Sequence, residues 1–259
     1  MRTTLRSIKR TLRCIARRLI PKRLHLPIAF HLARLRDSEN ARIWQGELSQ
    51  LKRWSSHAAI AIDIGANEGL YSYRFAQWFA RVEAFEPNPL VVQRLRDYQS
   101  SKIKIHEVAL SSSLGKACLH VPTSTNGSEE AGWATLDPTR LDAKQFGVSP
   151  SIRMLSVPIK TLDSFTFDNV GVIKIDVEGH ECDVLAGAEA TLRRCRPVVL
   201  IEAKNESRFF VEEFFQELNY SLFFWDSYHL VCLSDGLASW NNPHVNLFAI
   251  PEEKQPLCC

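Results

Sequence analysis

The stretch AIDIGANEGLYSYRF, Ala61 to Phe75, runs from aliphatic residues into Asp63, turns through Gly65, Ala66, Asn67 and Gly69, and then becomes helical. Such a junction exposes backbone N–H groups and one carboxylate at the same spot, a poor core and a good grip for a small charged molecule. A second acid, Glu86, ends the next apolar run, 23 residues after Asp63. An acid about 20 residues beyond a glycine turn accepts hydrogen bonds from both ribose hydroxyls. Close glycine packing of helix on strand is the plainer reading of Gly65 and Gly69, and Glu86 at that distance weighs against it.

A ribose is therefore expected, but not a dinucleotide. A pyrophosphate resting on this turn would meet the negative charge of Asp63, and Asn67 stands where a glycine would let backbone and phosphate touch. A cationic ligand carrying a ribose suits the turn better. S-adenosylmethionine has an ammonium, a sulfonium and a ribose, so Asp63 and the turn are expected to cradle its amino-acid end.

The second constellation is KIDVEGHE, in which Asp176, Glu178 and His180 alternate as an apolar strand runs into Gly179 and a helix. If the chain stays extended there, all three side chains face one way and could orient an acceptor hydroxyl and take its proton. Methyl transfer also needs a near-linear arrangement, so orientation counts beside basicity. Two other readings exist: capping of the following helix, where Glu181 also sits, and a metal site using the same three residues. Trp133 is a candidate wall for an acceptor pocket or an anchor for its loop, and Glu202 ends a strand that could face the same cleft.

These residues need a frame to bring them together. AAIAIDIG reads as a buried parallel strand, EGLYSYRFAQWFA as a helix, VEAFEP as a strand, PLVVQRLRDYQ as a helix and IKIHEVAL as a third strand. Alternation pauses over about 111–156, a β insertion rich in Ser, Thr, Gly and Pro, with a loop long enough to be functional. It resumes with the strand VGVIKIDVEG, the helix HECDVLAGAEATLRRC, the strand PVVLIEA and the helix SRFFVEEFFQELN. YSLFFWD and VNLFAIP close the chain as two strands. The pattern predicts an α/β fold, an open parallel sheet with ligands at the carboxyl ends of its strands.

DIGANEG, FEPNP, VALS, TLDSF, IKIDVEGHE and VLAGA, in that order, resemble the FkbM-type S-adenosylmethionine-dependent methyltransferases. The likeness covers about Ala59 to Glu202, with a compatible tail to Pro251; residues 1–50 and 123–150 carry no motif of it. It implies a class I methyltransferase fold: a Rossmann-like seven-stranded sheet with its last strand antiparallel. It also implies O-methylation, often of sugar hydroxyls. By position, Asp63 to Gly69 match the cofactor turn, Glu86 the ribose-binding acid, and Glu107, Val108 and Ala109 the region beside the adenine. A catalytically silent cofactor-binding protein, a metal-assisted methyltransferase and a nicotinamide oxidoreductase are the alternatives.

Composition bounds the rest. The 259 residues suit one large domain with a modest extension: a basic helical segment over 1–50 and a methyltransferase domain over 51–259. Residues 1–36 hold eleven Lys or Arg and no acid, whereas the remainder holds 21 basic against 29 acidic residues. Leu5, Ile8, Leu12, Ile15 and Leu19 form one apolar stripe at helical spacing. With its arginines, residues 1–22 could lie on an anionic membrane or pack across the catalytic domain. The basic residues lack interleaved aromatics, so nucleic acid is not the expected partner. Seven scattered cysteines without a CxxC pair argue against a zinc site and for a reducing compartment, which with the lack of a signal-like or membrane-crossing run predicts a cytoplasmic enzyme.

Overall fold

The computed structural model describes residues 39–97, 100–123, 131–141, 151–204, 207–233 and 244–255. The basic stripe of residues 1–22, most of the loop inside the insertion and the terminal cysteines lie outside the described residues.

Helix α1 (Glu39–Arg53) is followed by β1 (Ile60–Ile64), α2 (Leu70–Trp78), β2 (Arg81–Phe85), α3 (Pro89–Arg96) and β3 (Ile103–His106). The insertion holds β4 (Ala109–Leu110), β5 (Gly115–Thr123) and β6 (Ser151–Lys160). Then come β7 (Val170–Ile175), α4 (Glu181–Ala186), α5 (Glu189–Cys195), β8 (Val198–Lys204), α6 (Arg208–Glu217), β9 (Tyr220–Trp225), β10 (Leu230–Cys232) and β11 (His244–Pro251). The main sheet has the order β10-β9-β11-β8-β7-β1-β2-β3, and β4-β6-β5 form a second sheet. β1 pairs in parallel with β2 on one side and β7 on the other, so the strand order reverses between β1 and β7. Loops leaving the carboxyl ends of these two strands diverge there and leave a crevice.

Alternation along the buried strands sorts the core into two layers. Ile62 and Ile64 of β1, Ile173 and Ile175 of β7 and Ile201 of β8 pack on one face with Val184, Leu185, Leu192, Val211 and Phe215 from α4, α5 and α6. Ala61, Val172 and Leu200 face the other way, onto Phe75 and Phe79 and onto Leu48 and Leu51 of α1. Burying the last two stabilises the fold by about 2 kcal/mol each, which fastens α1 to the sheet across the expected boundary at residue 50. With a period of two, Asp63 follows Ala61 and Lys174 follows Val172 onto that same face. Among the described residues no helix is long and apolar enough to cross a membrane.

Three expectations need correction. The main sheet has eight strands, not seven, because β10 adds antiparallel to β9 at the edge. The third strand stops at His106, and Ala109–Leu110 belong to the second sheet, paired in parallel with β6. The single helix expected after His180 is two, broken at Gly187, where a Cβ would stand 2.0 Å from the carbonyl oxygen of Ser111. As expected, β11 runs antiparallel to both β8 and β9.

Candidate functional site

A cavity opens at the crevice between β1 and β7. Gly65, Asn67 and Glu86 line it from the side of β1 and β2 and Asp176, Glu178 and His180 from the segment after β7, with Phe85, Val108 and Leu119 among the apolar walls.

The turn after β1 is shaped by local sequence. Gly65 has φ +72°, and a Cβ there would lie 1.9 Å from the carbonyl oxygen of Asp176, so only glycine fits. The amides of Gly65 and Ala66 both donate to the carbonyl of Phe85 at 3.0 Å, tying the turn to the end of β2. Glu86 then locks it: one carboxylate oxygen accepts from the amide of Asn67 and the other from the amide of Asn88, both at 2.9 Å. Burial pushes the Glu86 carboxyl up to about 7, against the pull of those two amides. Each oxygen keeps a lone pair, and the group lines the cavity, so it can accept from two vicinal hydroxyls. The residues present thus fit an adenine nucleoside: paired acceptors for a ribose beside an apolar slot flanked by Val108 and Ala109.

Other expected cofactor residues are placed differently. Asp63 is fully buried beneath the turn and does not line the cavity. It accepts from the Ser72 hydroxyl at 2.5 Å and faces the Lys174 ammonium at 3.6 Å, so its positive partner comes from the chain itself. Ala66 packs with Ala84 and Leu95 and, like Gly69, shapes the turn without lining the cavity. Glu107 is turned outward to Arg96 at 2.6 Å, while Val108 and Ala109 do line the cavity. A strand ending at His106 lets residue 107 swing away, and sequence pattern does not foresee that.

Asp176, Glu178 and His180 do share the cavity, though not by strand alternation. β7 ends at Ile175; Glu178 then adopts φ +54° and Gly179 φ +101°, so a turn presents the three groups. Glu178 accepts from Lys204 at 2.7 Å, and burial raises its carboxyl despite that cation. His180 has both ring nitrogens engaged, Nε2 with the Ser111 hydroxyl at 2.9 Å and Nδ1 with Asp183 at 3.4 Å. The helix that follows has no side-chain cap, and Glu181 at its first position holds the turn before it: its buried carboxylate accepts from the amides of Gly179 at 3.0 Å and Val177 at 3.4 Å. Asp176 is the most open of the three, with its carboxylate 3.5 Å from Lys174.

Sequence reasoning underweighted Glu202 and missed Glu47 and Lys174. Oxygens of Asp176, Glu178 and Glu202 come within 4.8 Å of one another. Burial and then Asp176 push the Glu202 carboxyl up to about 7. A divalent cation could take that trio, but Lys204 already lies 2.7 Å from Glu178 and 3.6 Å from Glu202, so the cluster carries its own cation. The metal set weighed from sequence, with His180 as a ligand, does not assemble, because Ser111 and Asp183 hold that ring. Glu47, on the buried face of α1, accepts from Asn246 at 3.1 Å and from the Tyr71 hydroxyl at 3.5 Å. Burial lifts its carboxyl to about 7, with Asp176 and Glu202 adding to the shift. A lysine between Ile173 and Ile175 was the available signal for this layer, since a charge in a buried strand requires partners.

The insertion closes the site from above. Gly132, Ala134 and Leu136 line the cavity, whereas Trp133 is 44% exposed and does not.

The model of the methyltransferase FkbM domain matches residues 63–223. A 2-O-methyltransferase, NoeI, from Sinorhizobium fredii is 28% identical over 161 residues, covering 53% of this chain and 60% of that one. The chain thus spans less than two thirds of that relative. Among solved structures, a methyltransferase FkbM from Methylobacillus flagellatus aligns with a TM-score of 0.48 at 15% identity, covering 74% of this chain and 44% of that one. A precorrin-6y C5,15-methyltransferase from Geobacter metallireducens aligns with a TM-score of 0.45 at 14% identity, over 84% and 91% of the two chains.

Proposed function

The chain belongs to the FkbM methyltransferase family, with S-adenosylmethionine as its cofactor, and we propose that it is an O-methyltransferase acting on a hydroxyl of a sugar, glycan or glycosylated metabolite. The observation that carries this reading is one continuous cavity from Glu86 at the end of β2 to Asp176, Glu178 and His180 after β7. The relative named as a 2-O-methyltransferase supports the oxygen acceptor.

The bound cofactor supplies an electrophilic methyl group on a sulfonium. Gly65 and Asn67 offer backbone to its amino-acid end, and Ala66 and Gly69 keep the turn in shape. Glu86 accepts from the ribose, and Val108 and Ala109 flank the base. Asp63 acts from beneath, and Glu107, paired with Arg96, stays outside. The far end orients the acceptor hydroxyl and takes its proton. Asp176 is the best placed of the three acids and bases there, being the most open and nearest the turn; Glu178 with Lys204, and His180 with Ser111, orient the acceptor beside it. A chelator is expected to leave turnover unchanged, because Lys204 supplies the positive charge a metal would otherwise bring.

The test is incubation of the full chain with a methyl-labelled donor and fractionated cell glycans and small metabolites. Label in a carbohydrate fraction, as a base-stable ether, is expected. Donor binding by calorimetry without label in any fraction would make the protein a silent binder, and a thermal shift by NAD but not by S-adenosylmethionine would make it an oxidoreductase. A peripheral membrane contact through residues 1–22 is part of the same proposal; equal pelleting with liposomes by chains with and without those residues would reject it.

A further inference from the structure

We propose that Lys174 is a positioning residue that ties the donor turn to Asp176, and that Asp63 serves the donor through Lys174 rather than by touching it. The inference rests on the reading of this cavity as the methyl-transfer site and adds how its two ends are coupled.

The Lys174 side chain is buried in the layer between the sheet and helices α1 and α2. Its ammonium donates to the carbonyl of Gly65 at 2.8 Å and more weakly to that of Ile64 at 3.4 Å. It lies 3.6 Å from Asp63, buried beneath the turn, and 3.5 Å from Asp176, on the segment after β7. One cation therefore holds a carbonyl of the turn, the buried acid beneath it and the open acid after β7. The groups facing it are Asp63 from β1, Glu86 beyond β2, Asp176 on its own segment and the ring of Tyr71 from α2 at 5.5 Å, with Glu47 of α1 behind that ring. Burial disfavours the charge, but Asp176 and Asp63 outweigh it, so Lys174 stays protonated through the neutral range.

This arrangement redefines Asp63. Its carboxylate is enclosed, bonded to Ser72 and matched to Lys174, with no face on the cavity. Its contribution is to keep the ammonium under Gly65. Removing the ammonium leaves a buried carboxylate without a counter-charge and a turn without its lower support, and the Asp176 carboxylate loses its anchor.

The experiment measures S-adenosylhomocysteine affinity by calorimetry for the full chain, Lys174→Met, Asp63→Asn and the double variant, each below its melting midpoint. Lys174→Met is expected to weaken binding at least tenfold. Asp63→Asn is expected to add less than twofold in the Lys174→Met background, although it weakens binding severalfold alone. The double variant should melt above Lys174→Met, because the uncompensated carboxylate is gone. Should Lys174→Met fail to fold, the double variant is expected to bind severalfold more weakly than Asp63→Asn, because Gly65 and Asp176 lose the ammonium even without Asp63, and equal affinity of those two variants would overturn the proposal. In turnover, Lys174→Met should raise the donor KM and lower kcat, since both ends of the site are released. Unchanged affinity in folded Lys174→Met, or independent multiplicative losses from the two substitutions, would overturn the proposal. These affinities decide it with no acceptor present, so failure to find methyl transfer would count against the proposed function and not against the coupling.

Discussion

The Thr135 hydroxyl donates to the backbone carbonyl of Glu178 at 2.8 Å, and this bond joins the insertion to the turn that carries the candidate catalytic groups. Thr135 is buried, and its backbone pairs in both directions with His120 of β5. Its hydroxyl also accepts from the amide of Asp137 at 3.0 Å. The insertion is thus fastened to the site through this side chain as well as through Ser111, which meets His180.

Thr135→Val keeps the shape and removes both bonds, leaving two polar groups short of a partner. The expected cost is about 1–3 kcal/mol in denaturant unfolding. Because Gly132, Ala134 and Leu136 line the cavity from this segment, the acceptor KM should rise more than the donor KM. Equal changes in both would mean that the insertion does not contact the acceptor.

Glu86 gives a pH signature to donor binding. With its carboxyl at about 7 in the free protein, it is largely protonated at pH 6 and ionised at pH 8. The ionised form is the better acceptor for ribose hydroxyls, so S-adenosylhomocysteine affinity should climb across that window in the wild type. Glu86→Gln should bind at least tenfold more weakly at pH 8 and lose the climb. A pH-independent affinity in the wild type would remove Glu86 from the ribose contact.

Glu47 gives a signature to stability instead. Its folded-state carboxyl, at about 7, lies above the unfolded value of 4.5, so the folded chain holds this proton over a range where the unfolded chain has released it. The stabilisation is fully present below about pH 4.5 and is lost as pH rises through 7. Urea unfolding between pH 5 and 7 should therefore show stability falling with pH. Glu47→Gln, which keeps the bonding shape, should flatten that slope by up to ~1.4 kcal/mol per pH unit. An unaltered slope would place the raised acid elsewhere, with Glu86, Glu178 and Glu202 the other raised carboxyls among the described residues.

How far the sequence reaches follows from distance along the chain. The turn at Gly65 and the acid at Glu86 are legible because a positive φ and a strand end are written locally, and the parallel order of β1, β2 and β3 follows from alternation. Three-residue β10 leaves no periodicity to read, so the eighth strand was invisible. The same holds for the residues around Lys174: its partners Gly65 and Asp63 come from more than 100 positions away, and only the folded sheet sets them beside it. Glu178 shows a subtler limit. The alternating Asp176, Glu178 and His180 do share a cavity, but because φ at Glu178 turns positive, the strand rule arrives at the right group by the wrong geometry. Glu202 takes its meaning from lying one strand over from β7, beside the Asp176 end.

That neighbouring strand bears on the chemistry. Glu202 has one carboxylate oxygen buried with no hydrogen-bond partner among the described residues, and its oxygens approach those of Asp176 and Glu178. Its carboxyl, at about 7, is the readiest group beside Asp176 to hold a proton near neutrality. Asp176→Asn should cut turnover about a hundredfold or more while leaving S-adenosylhomocysteine affinity within about threefold, since the acceptor loses its partner while Lys174 keeps its contacts to Gly65 and Asp63. Glu202→Gln should cost less in kcat, roughly tenfold, and should abolish a rise in kcat between pH 6 and 8 that the wild type shows as this group ionises. Turnover by Asp176→Asn at the wild-type rate would move the proton-accepting role from Asp176 to Glu178, whose pairing with Lys204 could then be probed by Lys204→Met through the same pH profile.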